Sequence, residues 1–188
     1  MKLRIHQKLN FIFDLPKDKE YRVSPLYFDS NVHTILGATA LSELVIFNDN
    51  RYHQAEIPGV NGITNARYVA RLYASLIDDV GGGKQKRLLN KEIMKKATTS
   101  NTPDNETDRV RGCQNSFAMG FQLFDDDLKT FSHEEAGGSI GFAASDKSLA
   151  FACTVNQYGV KKKRQEISPR TQTIIKHIAR VIDDNHIR

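Results

Sequence analysis

The chain has 188 residues, 39% hydrophobic and 26% charged, with a formal net charge of +5. That length suits one domain or part of a larger one, and the modest apolar share allows a core while hinting that some apolar surface needs a partner. The positive charges are scattered, so charge gives no ground for a nucleic-acid partner, and no apolar run is long enough to span a membrane.

Met1 to Phe13 starts basic, but its apolar run of Phe11 to Phe13 is too short for a signal peptide. The only cysteines are Cys113 and Cys153. They form no CxxC and no zinc spacing, so no metal site, no cofactor and no disulfide framework is expected. A reducing, cytoplasmic compartment is the default.

Residues 1–35 are irregular, with DLPKDKEYRVSPLYFD reading as an extended connection. Ala38 to Phe47 is a short apolar segment, a helix or a turn. The first strong element lies in AEIPGVNGITNARYVARLYASLIDDVGGG. Asn61-Gly62 marks a turn, Thr64 is the expected N-cap, and Ala66, Val69, Ala70, Tyr73, Leu76 and Ile77 share one helical face. That stripe reads as core packing, and Gly81 to Gly83 are expected to end the helix. A second short helix falls in Leu88 to Thr98 with Asn90 as its cap, and Thr98 to Asp108 is a polar surface loop.

Period-two alternation then predicts three strands. The first runs through Phe117, Met119, Phe121 and Leu123, the second through Ile140 and Phe142, the third from Leu149 to Val155. The short Ala144–Ser148 link predicts that the last two pair antiparallel. Ser168 and Pro169 open a final helix whose Ile174, Ile175, Ile178, Val181 and Ile182 face one way. The order is helices, three antiparallel strands, and a C-terminal helix packed on the sheet. That is an α+β arrangement, and its sheet is small for the chain.

Several features read as ordinary surface. Lys161 to Arg164 is a solvated charge run, and Asp125 to Asp127 a solvated loop. His53 and Glu56 are expected at the surface. Glu134 and Glu135 are adjacent, so on a strand they point to opposite faces and cannot act as a carboxylate pair.

Four segments carry a family resemblance. AEIPGVNGITNARYVARLYASL, GFQLF at Gly120 to Phe124, FSHEEAGGSIGFAASDKSLAFACTVNQYG and, further upstream, KDKEYRVSPL stand in the order found in the serine β-lactamase-related family. That family includes class C β-lactamases, penicillin-binding proteins and similar esterases. The resemblance covers nearly the whole chain and implies a partial β-lactamase/transpeptidase-like fold. It also implies serine acyl-transfer chemistry, in which a Ser-x-x-Lys nucleophile and a Tyr-x-Asn relay act beside a third motif on a sheet strand.

No serine of the chain has lysine three residues later, and no tyrosine has asparagine two residues later. Only the third motif remains. The resemblance places His133 at its first position and assigns Ala136 the backbone N–H of the oxyanion hole. Glu135 stands where the family has glycine, adding bulk and negative charge. Residues 1–188 are therefore expected to be the C-terminal portion of one such domain. Its nucleophile would lie N-terminal to them, and this chain would be inactive alone. The alternative is a non-catalytic binding or scaffold module. The expected partner is a small-molecule or peptide substrate, with self-association through exposed sheet surface, and neither nucleic acid nor membrane.

Overall fold

The computed structural model describes residues 27–28, 46–55, 57, 62–108, 113–124, 128–135, 137–158 and 169–186. Strand β1 is Tyr27–Phe28 and helix α1 is Asn50–His53. Helix α2 is Ala66–Ile77, α3 is Lys91–Ala97, and α4 is Pro169–His186. Strands β2 (Thr107–Asp108) and β3 (Cys113–Gln114) form a small antiparallel pair. The main sheet holds β4 (Ser116–Phe117), β5 (Gln122–Phe124), β6 (Thr130–Glu134), β7 (Ile140–Ala144) and β8 (Leu149–Cys153), antiparallel and in that order. Just beyond it, β9 (Gln157–Tyr158) pairs in parallel with β1.

The α+β class stands, but the sheet has five strands where three were expected. Two departures account for the difference. The alternation from Phe117 to Leu123 is a hairpin, not one strand. Gly120 adopts φ +84° and the Ala118 N–H donates to the Phe121 carbonyl at 2.8 Å, so the chain reverses there. Strand β6 escaped the apolar alternation because its inner-facing residues Thr130, Ser132 and Glu134 are polar yet buried. The β7–β8 hairpin is as expected, with Ile140 opposite Cys153 and Ala144 opposite Leu149.

Side chains on a strand alternate between faces, and both faces of this sheet are covered. On one, Ile140, Phe142 and Ala144 of β7 pack with Leu128 and with Ile175 and Ala179 of α4. On the other, Phe131 and Ala143 pack with Tyr73 and Leu76 of α2 and Met94 of α3. The small residues of β7 and β8 thus belong to a sheet enclosed by helices. The α4 stripe is rotated from the expected one: Ile175 and Ala179 are buried, whereas Val181 is exposed.

Helix ends follow local chemistry. The α2 cap is Asn65, one residue beyond the expected Thr64, and its side-chain oxygen accepts from the Tyr68 N–H at 3.2 Å. The Thr64 hydroxyl is buried with no partner among the described residues. Helix α2 stops at Asp78, before the glycines, which instead turn the chain at φ +67°, +66° and +81°. Asn90 caps α3 as expected, accepting from the Ile93 N–H at 2.8 Å. Pro169 opens α4, while Ser168 lies outside the described residues.

Candidate active site

His133 sits on β6, one residue before its end, directly opposite Gly141 of β7. Its side chain is exposed, and its Nε2 lies 2.8 Å from Oε1 of Glu135, also exposed. Glu134 between them is buried. The two carboxylates therefore part as period-two geometry requires, and only Glu135 meets the histidine.

The link from β6 to β7 is a tight turn. The Glu135 N–H donates to the Ser139 carbonyl at 2.9 Å, and the Gly138 N–H donates to the Glu135 carbonyl at 3.2 Å. Gly137 and Gly138 take φ +97° and +105°, which favours glycine at both. The Ser139 hydroxyl accepts from the Val155 N–H at 3.0 Å, fastening the turn to the chain leaving β8. Glu135 is not among the residues with positive φ. Its backbone thus accommodates a side chain, and what that side chain alters is space and charge. Ala136 lies outside the described residues, as do Asn61, Glu56 and Asp125 to Asp127.

Helix α2 packs against the sheet at the register of His133. A Cβ placed on Gly141 would come within 2.6 Å of Tyr73 Cε2 and 2.6 Å of Val69 Cγ1. Glycine there permits this close approach. The Tyr73 ring stacks into an aromatic group with Phe131 (6.0 Å between ring centres) and Phe121 (6.4 Å). Burial pushes the Tyr73 phenol well above its usual pKa, opposed in part by a hydrogen bond from the His133 backbone. Tyr73 thus remains a neutral phenol that braces the strand bearing His133. The sequence stripe placed Tyr73 in the core but missed this brace. A tyrosine where phenylalanine would pack equally well was the available signal.

His53, expected at the surface, is buried, with Nε2 2.6 Å from the Phe47 carbonyl oxygen. The turn leading into α1 folds back over the ring, so His53 serves as a local clasp. Cys153 is a free, partly buried cysteine on β8 that packs against the α4 side of the core.

No family model matches the sequence, and no curated protein matches it. Solved structures do match. EstA from Arthrobacter nitroguajacolicus Rue61a aligns with a TM-score of 0.75 and 20% identity, over 93% of this chain and 50% of its own. A family VIII carboxylesterase aligns at 0.70 and 25% identity, over 88% and 45%. A penicillin-binding protein homolog from Caulobacter crescentus aligns at 0.65 and 21% identity, over 82% and 45%. This chain spans about half the length of each. The fold is that of the serine β-lactamase-related family, to which all three belong.

Proposed function

We propose that residues 1–188 are the C-terminal portion of a serine acyl-hydrolase domain and form the third-motif wall of its site. The observation that carries this reading is the position of His133, exposed on β6 beside a Gly-Gly turn, within a fold shared with esterase structures. In this role His133 offers a hydrogen bond or positive charge to the substrate, and Ala136 offers a backbone N–H to the developing oxyanion. The substrate is a small ester, amide or β-lactam, or a peptide. In this mechanism neither residue is the nucleophile, and acyl transfer by this route needs an activated serine. The chain alone is therefore inactive.

The test is to treat the folded 188-residue chain with a serine-reactive fluorophosphonate and to assay p-nitrophenyl butyrate turnover. Neither a covalent adduct nor turnover is expected. An adduct on any serine within the chain, accompanied by turnover, would sink the proposal.

One observation favours a second reading, a non-catalytic binding module. Nε2 of His133 is engaged by Glu135 at 2.8 Å, so a carboxylate occupies the space where the family keeps glycine. Under this reading the native protein gives no adduct at any length, and Glu135→Gly does not restore one.

A further inference from the structure

A cleft of about 420 Å³ lies at the other end of β7 from His133. Ser145 at the cleft stands four positions beyond Gly141, which is opposite His133, or about 13 Å along a strand. Its floor is apolar, with Leu76 of α2 and Met94 of α3. Its charged groups are mostly cationic: Arg87 from the connection between those helices, and Lys91 and Lys95 from one face of α3, which also contributes the Thr98 hydroxyl beyond its end. Ser145 and Ser148, from the β7–β8 turn, add hydroxyls, and Asp78 is the one carboxylate lining it.

Charge pairing elsewhere on this surface makes the cluster informative. Lys96 meets Glu92 at 3.0 Å and Lys86 meets Asp79 at 2.7 Å, so carboxylates within reach are used. Lys91 and Lys95, one helical turn apart, have no ion-pair partner among the described residues. Among the described residues the Arg87 side chain hydrogen-bonds to two neutral acceptors, the carbonyls of Leu89 and Leu76, with the Asp79 carboxylate acting on it through space. Its Nη1 is buried with no hydrogen-bond partner among the described residues. The Asp78 Oδ1 already accepts the Asp79 N–H at 2.7 Å. Three cations and one carboxylate thus line an apolar-floored cleft, with Asp79 nearby on the Arg87 backbone, so the cleft lining itself is net positive and favours an anion.

We propose that this cleft binds a small organic anion. One carboxylate or phosphate group sits between Lys91, Lys95 and Arg87, and its apolar part rests on Leu76 and Met94. The volume is that of a small-molecule site, and cations on two separate elements hold such a group better than one exposed lysine. The site uses a face of α3 and owes nothing to the proposed hydrolase chemistry.

The experiment is a titration of the ¹⁵N-labelled chain with citrate, and separately with inorganic phosphate, at about 150 mM salt, where surface attraction is screened. Saturable shifts are expected at the amides of residues 76–78, 91–98 and 145–148, fitting one Kd. Response to citrate alone assigns a carboxylate ligand, and response to phosphate alone a phosphate ligand. Lys91→Gln/Lys95→Gln should raise Kd at least tenfold, while the control Lys84→Gln/Lys129→Gln should leave it unchanged. No saturable shift with either anion, shifts spread over unrelated lysines, or wild-type affinity in the first double variant overturns the proposal. The wild-type titration needs no variant, so a variant's folding defect cannot leave it undecided, and a fixed protein concentration keeps self-association constant across the series.

Discussion

Replacing Gly141 by alanine tests the packing that holds α2 against the strand bearing His133. The new Cβ would sit 2.6 Å from Tyr73 Cε2, 2.6 Å from Val69 Cγ1 and 3.0 Å from Tyr73 Cδ2. Ordinary carbon contacts are about 3.5–4.0 Å, so two atoms overlap by roughly 1 Å. Tyr73 cannot step aside easily, because it is buried among Phe121 and Phe131. Overpacking of this kind costs about 1–3 kcal/mol. Loss of glycine's unfolded-state freedom returns about 0.4–1 kcal/mol. The net expectation is about 1.3 kcal/mol of destabilisation, read as a lower urea midpoint by circular dichroism, or a Tm lower by roughly 3–5 °C. Val69→Ala removes one of the two clashing atoms. The double variant should therefore be more stable than additivity predicts by about 1 kcal/mol. If Gly141→Ala equals or exceeds the wild type in stability, α2 does not lie where the fold places it.

Three further outcomes are expected. Tyr73→Phe keeps the ring but loses the hydrogen bond from the His133 backbone. Stability should fall by about 1 kcal/mol and the His133 amide resonance should move more than its neighbours, whereas an unmoved His133 amide would deny the brace. Hydrogen bonds from the Arg51 side chain and backbone pull the Asp49 carboxyl down to about 2. Its folded value lies below the unfolded one of about 3.9, so the stabilising contribution is complete above that pH and is lost as pH falls toward 2. Carboxyl ¹³C titration should show this midpoint, and Arg51→Ala should return it to the usual range. Asp79 shifts the same way for the same kind of reason, with Lys86 and the Arg87 N–H as donors. Finally, among the described residues β8 is the edge strand of the main sheet, and its Leu149–Cys153 run carries no charge. Such an edge invites pairing, so light scattering on a sizing column should show self-association above micromolar concentration. A monodisperse monomer would contradict that expectation.

What the sequence made legible follows the physics that leaves marks in it. Amphipathic α2 and the β7–β8 hairpin were readable because their buried faces are apolar. So was α3, whose Asn90 sits at the cap. Strand β6, which carries the candidate site, was not readable from periodicity, since Thr130, Ser132 and Glu134 bury polar groups. The family resemblance found His133 where periodicity could not. The β4–β5 hairpin was hidden because Gly120 reverses the chain inside an unbroken alternation. The partnership of Gly141 with Tyr73 and Val69 depends on tertiary approach between residues about seventy apart, which no local pattern encodes. Nor did spacing expose the cationic cleft, because Arg87, Lys91 and Lys95 come to line one cleft with Ser145 and Ser148 only in the folded chain.

The most direct test of the proposed function is the intact mass of the native protein after fluorophosphonate treatment. The account predicts a polypeptide roughly twice the 21.2 kDa of these residues, as the half-length matches suggest. It also predicts a phosphonylated serine outside residues 1–188. A native protein of 21.2 kDa that still hydrolyses esters, or an adduct within these residues, would contradict it.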